Sequence, residues 1–292
     1  MLLPRGLIAL LTVIASLGVL ASTAGSADAY VYWGNTTGFS QGSISRARND
    51  GSHVREHLVP HPGAVGAIAV AGRQIYWIDA DAERIGRARI DGSHVRRSFI
   101  PVAGQARDLA VSGDRIYWTI GTGIGSSAAI ARARIDGSDV DLSFIPIPDA
   151  NYGTPTGIDV AGDRIFWANA YPVYAIARAM LDGSGVEQEF ITSPDLRNPS
   201  ALAADGRHIF FSNRAHHTIA GADFDGGNLD LELIPGVGDP SGLAVDSRHR
   251  VLWQTDGGIY RARGNGSRVR RLFDVRGVAT LAVDDRGPHG HR

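Results

Sequence analysis

Apolar and polar positions alternate along this chain in short runs, and the runs repeat. An aliphatic residue followed by an aromatic pair, or its nearest equivalent, recurs as Val31-Tyr32-Trp33, Ile75-Tyr76-Trp77, Ile116-Tyr117-Trp118, Ile165-Phe166-Trp167, Ile209-Phe210-Phe211 and Val251-Leu252-Trp253. After each comes an Ile with small and Arg residues and then a turn, as in Ile85-Gly86-Arg87-Ala88-Arg89-Ile90-Asp91-Gly92-Ser93, with counterparts starting at Ile44, Ile130, Ile176, Ile219 and Ile259. Short apolar runs precede all but the first pair, at Ile68 to Val70, Leu109 to Val111, Ile158 to Val160, Leu202 to Ala204 and Leu243 to Val245; Leu281 to Val283 follows the last. Such β-branched and aromatic runs, bounded by Gly, Asp, Ser and Pro, read as strands. Each repeat therefore predicts four short strands, and six repeats predict an all-β, six-bladed β-propeller of four-stranded antiparallel blades.

The Asp-Gly pairs at Asp50, Asp91, Asp136, Asp182 and Asp225, with Asn265-Gly266 in the sixth copy, suit tight hairpins because glycine accepts a positive φ. As calcium loops they would each offer one carboxylate, where calcium takes about six to eight oxygens; they read as turns. The first aromatic run, Tyr30 to Trp33, has no inner strand before it, while a spare one, Thr280 to Asp284, follows the last. Pairing these two strands is expected to close the ring and cover its open edges.

The aromatic pair, the Ile-x-Arg-Ala strand, the Asp-Gly-Ser turn and the Pro-x-Gly-Leu-Ala-Val-Asp run, best seen at Pro240 to Asp246, resemble the YWTD repeats of the low-density lipoprotein receptor family. The resemblance covers essentially all of the chain from residue 30 onward. It implies six blades and a role in binding proteins rather than in chemistry. Two residues after the Trp, where that motif has Asp, stand Asn35, Asp79, Ile120, Asn169, Asn213 and Thr255, and no cysteine-rich module flanks the repeats. The repeat is similar, more loosely, to the virginiamycin B lyase and gluconolactonase propellers. Those are enzymes, so the fold alone leaves activity open.

The first 29 residues have the parts of an export signal: Arg5, the apolar run Leu7 to Leu20 and the small residues Ala27 and Ala29. Cleavage before Tyr30 is expected, giving a secreted, extracellular protein with no membrane insertion; an uncleaved anchor is the alternative. The propeller is expected over residues 30–286 and a polar tail over 287–292. The chain has no cysteine, so stability outside the cell must come from packing and ring closure. Acidic and basic residues nearly cancel, with a net charge of −1, which gives no field to draw nucleic acid. Every basic residue is Arg, so lysine Schiff-base chemistry is excluded.

Loop lengths separate the two faces. From the strand-three Ile to the strand-four apolar residue the step is ten in every copy, from Ile44 to Val54 through to Ile259 to Val269. On the opposite face Trp33 to Ile44 is eleven, Trp77 to Ile85 eight, Trp118 to Ile130 twelve and Trp253 to Ile259 six. Rigid scaffolds display binding residues on variable loops, so the expected site lies on that face, over the central channel. Its candidate ligand-binding residues are Asp79, Arg107, Tyr152, Asn169, Tyr171, Asn213, His216 and His217.

Catalytic motifs are scarce. Gly38-Phe39-Ser40-Gln41-Gly42 has the nucleophile-elbow spacing but not the strand–turn–helix setting that motif needs. Gly121-Thr122-Gly123-Ile124-Gly125 lacks the helix that would hold a phosphate. No carboxylate cluster of a lactonase kind is expected at the inner strand ends near Arg107, Thr156, Ser200 and Ser241, and no metal or cofactor is assigned. The leading expectation is a non-catalytic module recognising an extracellular protein or glycan. The alternative is a propeller lyase or hydrolase using His216 or His217, with or without a divalent metal, at the channel.

Overall fold

Each repeat folds as the alternation dictates, into four antiparallel strands joined by tight turns. The computed structural model describes residues 29–36, 42–102, 104–121, 128–148, 153–255, 257–275 and 277–284. The expected export segment before Ala29, the expected tail, Tyr152 and most of the loops holding Ser40 and Gly123 lie outside the described residues.

The chain opens with β1 (Tyr30–Thr36), β2 (Gly42–Arg48) and β3 (Arg55–Pro60). Blade two holds β4 (Val65–Ala71), β5 (Gln74–Asp79), β6 (Arg84–Arg89) and β7 (Arg96–Pro101). Blade three holds β8 (Gln105–Ser112), β9 (Arg115–Gly121), β10 (Ala128–Arg134) and β11 (Asp141–Ile147). Blade four holds β12 (Thr154–Ala161), β13 (Arg164–Ala170), β14 (Ala175–Met180) and β15 (Glu187–Ile191). Blade five holds β16 (Leu202–Ala204), β17 (His208–Asn213), β18 (Thr218–Asp223) and β19 (Asp230–Ile234). Blade six holds β20 (Gly242–Val245), β21 (Arg250–Thr255), β22 (Gly258–Arg263) and β23 (Arg270–Phe273). The last strand, β24 (Val278–Asp284), returns to blade one, whose order is β24-β1-β2-β3. The structure is thus a six-bladed β-propeller closed by pairing of its first and last strands, with Val31 opposite Val283 and Trp33 opposite Leu281.

The core lies between blades. Successive residues of a strand point to opposite sheet faces, so the two members of each aromatic pair pack into different interfaces. Tyr32 of blade one joins Trp77 of blade two, and Tyr76 joins Trp118 of blade three. The pattern continues with Tyr117 and Trp167, Phe166 and Phe211, Phe210 and Trp253. Leu252 of blade six meets Trp33 of blade one, which completes the ring. All five Trp are at most 2% exposed.

Arginines of the Ile-x-Arg-Ala strands reinforce these interfaces. The Arg87 guanidinium carbon lies 4.1 Å from the Phe99 ring centre within its blade, and Nη1 donates to the Ile135 carbonyl of the next at 3.1 Å. Arg46 repeats this against Tyr30 and the Ile90 carbonyl, at 4.6 and 2.7 Å. In blade six Arg261 donates to Asn49 Oδ1 of blade one at 2.9 Å.

The Asp-Gly turns carry positive φ at the glycine, as expected, but span one residue more than a two-residue hairpin. Gly92 N donates to Arg89 O and Arg89 N to Ser93 O, both at 2.8 Å, and Gly92 has φ +86°. This is a type I turn followed by a bulge residue. A Cβ on Gly92 would lie 2.2 Å from the Leu58 carbonyl oxygen of the preceding blade, so close packing also demands glycine there. The Asp91 carboxyl accepts from Ser93 Oγ and Ser93 N, at 2.6 and 2.9 Å, and these bonds hold it below the usual carboxylate range.

Candidate functional site

The inner strands β4, β8, β12, β16, β20 and β24 surround a central channel of about 640 Å³. Their starts face the variable loops and their ends face the uniform hairpins. The mouth on the variable side is polar, with Arg107, Thr156, Ser200 and Ser241 from strand starts and inter-blade connections, and Tyr171 and Arg214 from loops after second strands. The far end is lined by Val70, Val111, Val245 and Val283.

The expected binding residues divide into two groups. Tyr171 is 70% exposed at the mouth. Arg107 is also exposed there, with Nη2 donating to Gln105 Oε1 at 3.3 Å. Asp79, Asn169 and Asn213 are instead 5%, 0% and 1% exposed. Asp79 accepts from Ala64 N and Ala82 N, each at 3.3 Å. Asn213 accepts from Arg197 N at 2.8 Å and donates to Asp195 O at 3.0 Å, while Asn169 Nδ2 donates to Gln188 O at 3.3 Å. Buried backbone groups require partners, and these side chains supply them, so they shape the variable face from beneath it.

His216 and His217 are exposed, at the end of the short 3₁₀ turn Arg214–His216 and just after it. His217 Nδ1 donates to the Gly238 carbonyl at 2.8 Å, which leaves Nε2 as its free ring nitrogen. Arg214, three residues earlier, grips the Asp239 carboxylate with Nε and Nη2. That bond holds the Asp239 carboxyl below its usual range and fixes the loop at the mouth. His217 and Asp79 each engage groups near their own blade, and no bond links the two among the described residues.

Two channel residues that the sequence reading passed over are Asp108 and Asp159. Each is enclosed by the ring yet half-open to the channel. Asp108 accepts from Leu109 N at 2.9 Å with one oxygen and from Ile158 N of the next blade at 3.0 Å with the other. Asp159 repeats the motif with Val160 N and Ala204 N, both at 2.8 Å. They cap inner-edge N–H groups and bridge blades three to four and four to five. Burial pushes the Asp108 carboxyl up to about 7, with a contribution from Asp159, against the lowering effect of its two N–H donors. Burial likewise pushes Asp159 up to about 6.

A signal for both was present in the aligned repeats. The counterparts of Asp108 are Ala67, Gly157, Ala201, Gly242 and Thr280, and those of Asp159 are Ala69, Ala110, Ala203, Ala244 and Ala282. A lone carboxylate where the other copies carry a small residue marks a departure from the repeat.

No protein-family model and no curated protein matches the chain. Solved structures do. A chain of the nidogen/laminin complex superposes with a TM-score of 0.71 at 15% identity, covering 87% of this chain and 98% of its own. A gluconolactonase from Xanthomonas campestris gives 0.61 at 18%, covering 75% and 79%. Virginiamycin B lyase from Staphylococcus aureus gives 0.54 at 17%, covering 72% and 70%. Likeness at these identities shows the fold alone, a six-bladed β-propeller, here with YWTD-like repeats, and that fold is found in binding proteins and enzymes alike.

Proposed function

We propose that the protein is a secreted, non-catalytic module that binds an extracellular protein or glycan on its variable-loop face, over the channel mouth. The observation that carries this reading is the exposed Tyr171 ring at a rim that also presents Arg107 and the braced Arg214. Tyrosine and arginine dominate binding hot spots, because each offers a large contact area with a polar end. Export is supported by Arg5, the apolar run to Leu20 and the small residues at Ala27 and Ala29. The test is to screen the purified protein against extracellular proteins and glycans, then measure each hit on Tyr171→Ala and Arg107→Ala. Loss of about tenfold in affinity with unchanged melting supports the reading. Affinity equal to the parent in both variants, for every hit, overturns it.

A second reading rests on Asp108 and Asp159. Carboxyls that titrate near neutrality suit general acid–base work, and two of the structural neighbours are a gluconolactonase and a lyase. Turnover of a gluconolactone or of virginiamycin B that vanishes in Asp108→Asn and Asp159→Asn favours this reading over the first.

A further inference from the structure

On the opposite face, among the uniform hairpins, lies a second concavity of about 390 Å³ between blades five and six. We propose that it is a binding site for a doubly charged oxyanion, a phosphate or sulfate group, with room for the small molecule that carries it. Arg207 and His208 enter from the β16–β17 turn, Arg248, His249 and Arg250 from the β20–β21 turn, and Arg263 from the end of β22. This concentrates four guanidinium groups in a chain whose net charge is only −1.

Of the nearby carboxylates, Asp246 offsets Arg250 alone and Asp205 faces His249, so neither pairs with the other three guanidinium groups. Asp205 accepts from Arg207 N at 2.9 Å, His208 N at 2.8 Å and His249 Nδ1 at 2.6 Å, and its side chain is 7% exposed. Asp246 takes Arg250 Nε at 2.6 Å, Asn49 Nδ2 at 2.9 Å and two backbone N–H groups, and its side chain is 2% exposed. Among the described residues no Asp or Glu lines the pocket. Arg207, Arg248 and Arg263 have no ion pair among the described residues, while Arg250 is braced by Asp246.

The bond to Asp205 orients the His249 ring and leaves Nε2 as its open nitrogen. Planar guanidinium forks match the paired oxygens of phosphate and sulfate, and the backbones that carry them belong to two adjacent blades. The volume exceeds that of one oxyanion and is of the size that takes a small ligand, roughly 300 Å³ or more. This site is independent of the channel mouth and stands or falls separately from the function proposed above.

Calorimetric titration of the purified protein with inorganic phosphate and inorganic sulfate, against sodium chloride at matched ionic strength, tests it. Saturable binding is expected, weakened about tenfold by each of Arg207→Ser, Arg248→Ser and Arg263→Ser and lost in the triple variant. These side chains are exposed and unpaired, so melting in chloride should not move, and Tyr171→Ala should bind the ions as the parent does. Glucose 6-phosphate and glucose 6-sulfate form the second arm: tighter binding than the free ions assigns the pocket to an esterified group, equal binding to the ion itself. A response that chloride reproduces, or one that the triple variant retains, overturns the proposal.

Discussion

Leu281 stands opposite Trp33 in antiparallel register, so the last described strand supplies the inner wall of the blade that the first one begins. Val283 faces Val31 in the same ladder. Cross-strand partners have Cα atoms about 4.5 to 5.5 Å apart, within reach of a disulfide. Val31→Cys with Val283→Cys is expected to crosslink under mild oxidation, and the oxidised protein to gain about 2 to 4 kcal/mol. The absence of a crosslink in folded protein would show that the ends do not meet.

The architecture was legible because strands and turns are local and were written six times. Ring closure followed from counting inner strands, since an unpaired edge is costly. The site was less legible. Asn169 and Asn213 look like polar loop tips, yet Asn169 bonds the backbone of β15 in its own blade and Asn213 bonds the connection between β15 and β16. Arg87 and Ile135 lie 48 residues apart, so their bond is invisible until blades are stacked. Asp108 and Asp159 were hidden as single letters within apolar runs, where only comparison with the small residues of other copies exposes them.

Gly86 is tied to the pose of one tryptophan. The Trp77 indole donates Nε1–H to the Pro62 carbonyl at 3.0 Å, and a Cβ on Gly86 would lie 2.2 Å from its ring. The corresponding residues beside Trp118 and Trp167 are Ala131 and Ala177, and there the indole nitrogens have no partner among the described residues. Gly86→Ala should therefore push the Trp77 ring off Pro62 and cost about 1 to 3 kcal/mol. Urea unfolding reads the cost, and a shift in Trp fluorescence reads the displaced ring; a parent-like midpoint would mean that the indole has another place to go.

Arg87 joins two blades through shape as much as charge. Its guanidinium covers Phe99 and reaches Ile135 O, and lysine has neither the plane nor the fork. Arg87→Ala is expected to lose about 1 to 2 kcal/mol, with Arg87→Lys recovering only part. Full recovery by Lys would reduce the contact to simple charge.

Asp108 and Asp159 should give the fold an unusual slope of stability with pH. An unfolded aspartate titrates near 3.8, whereas the folded values stand at about 7 and about 6. Between those limits the folded protein holds protons that the unfolded chain has released. The folded pKa is raised, so the stability linked to these protons is complete below the unfolded value and is lost as pH rises through 6 and 7. The pair is half-open to channel water, which keeps the loss to a few kcal/mol at most. The turn carboxylates Asp91, Asp136 and Asp182, held low by their serine donors, stay ionised above pH 5 and add nothing in this window. Urea midpoints measured from pH 5 to pH 8 should therefore contain a declining component that disappears in the Asp108→Asn, Asp159→Asn double variant. Asparagine can accept only one of the two N–H groups that each carboxyl now satisfies, so the variant should start about 1 kcal/mol lower per site at pH 5 and close on the parent by pH 8. Parallel profiles for parent and variant would show that the channel carboxyls ionise as freely in the folded ring as in the unfolded chain.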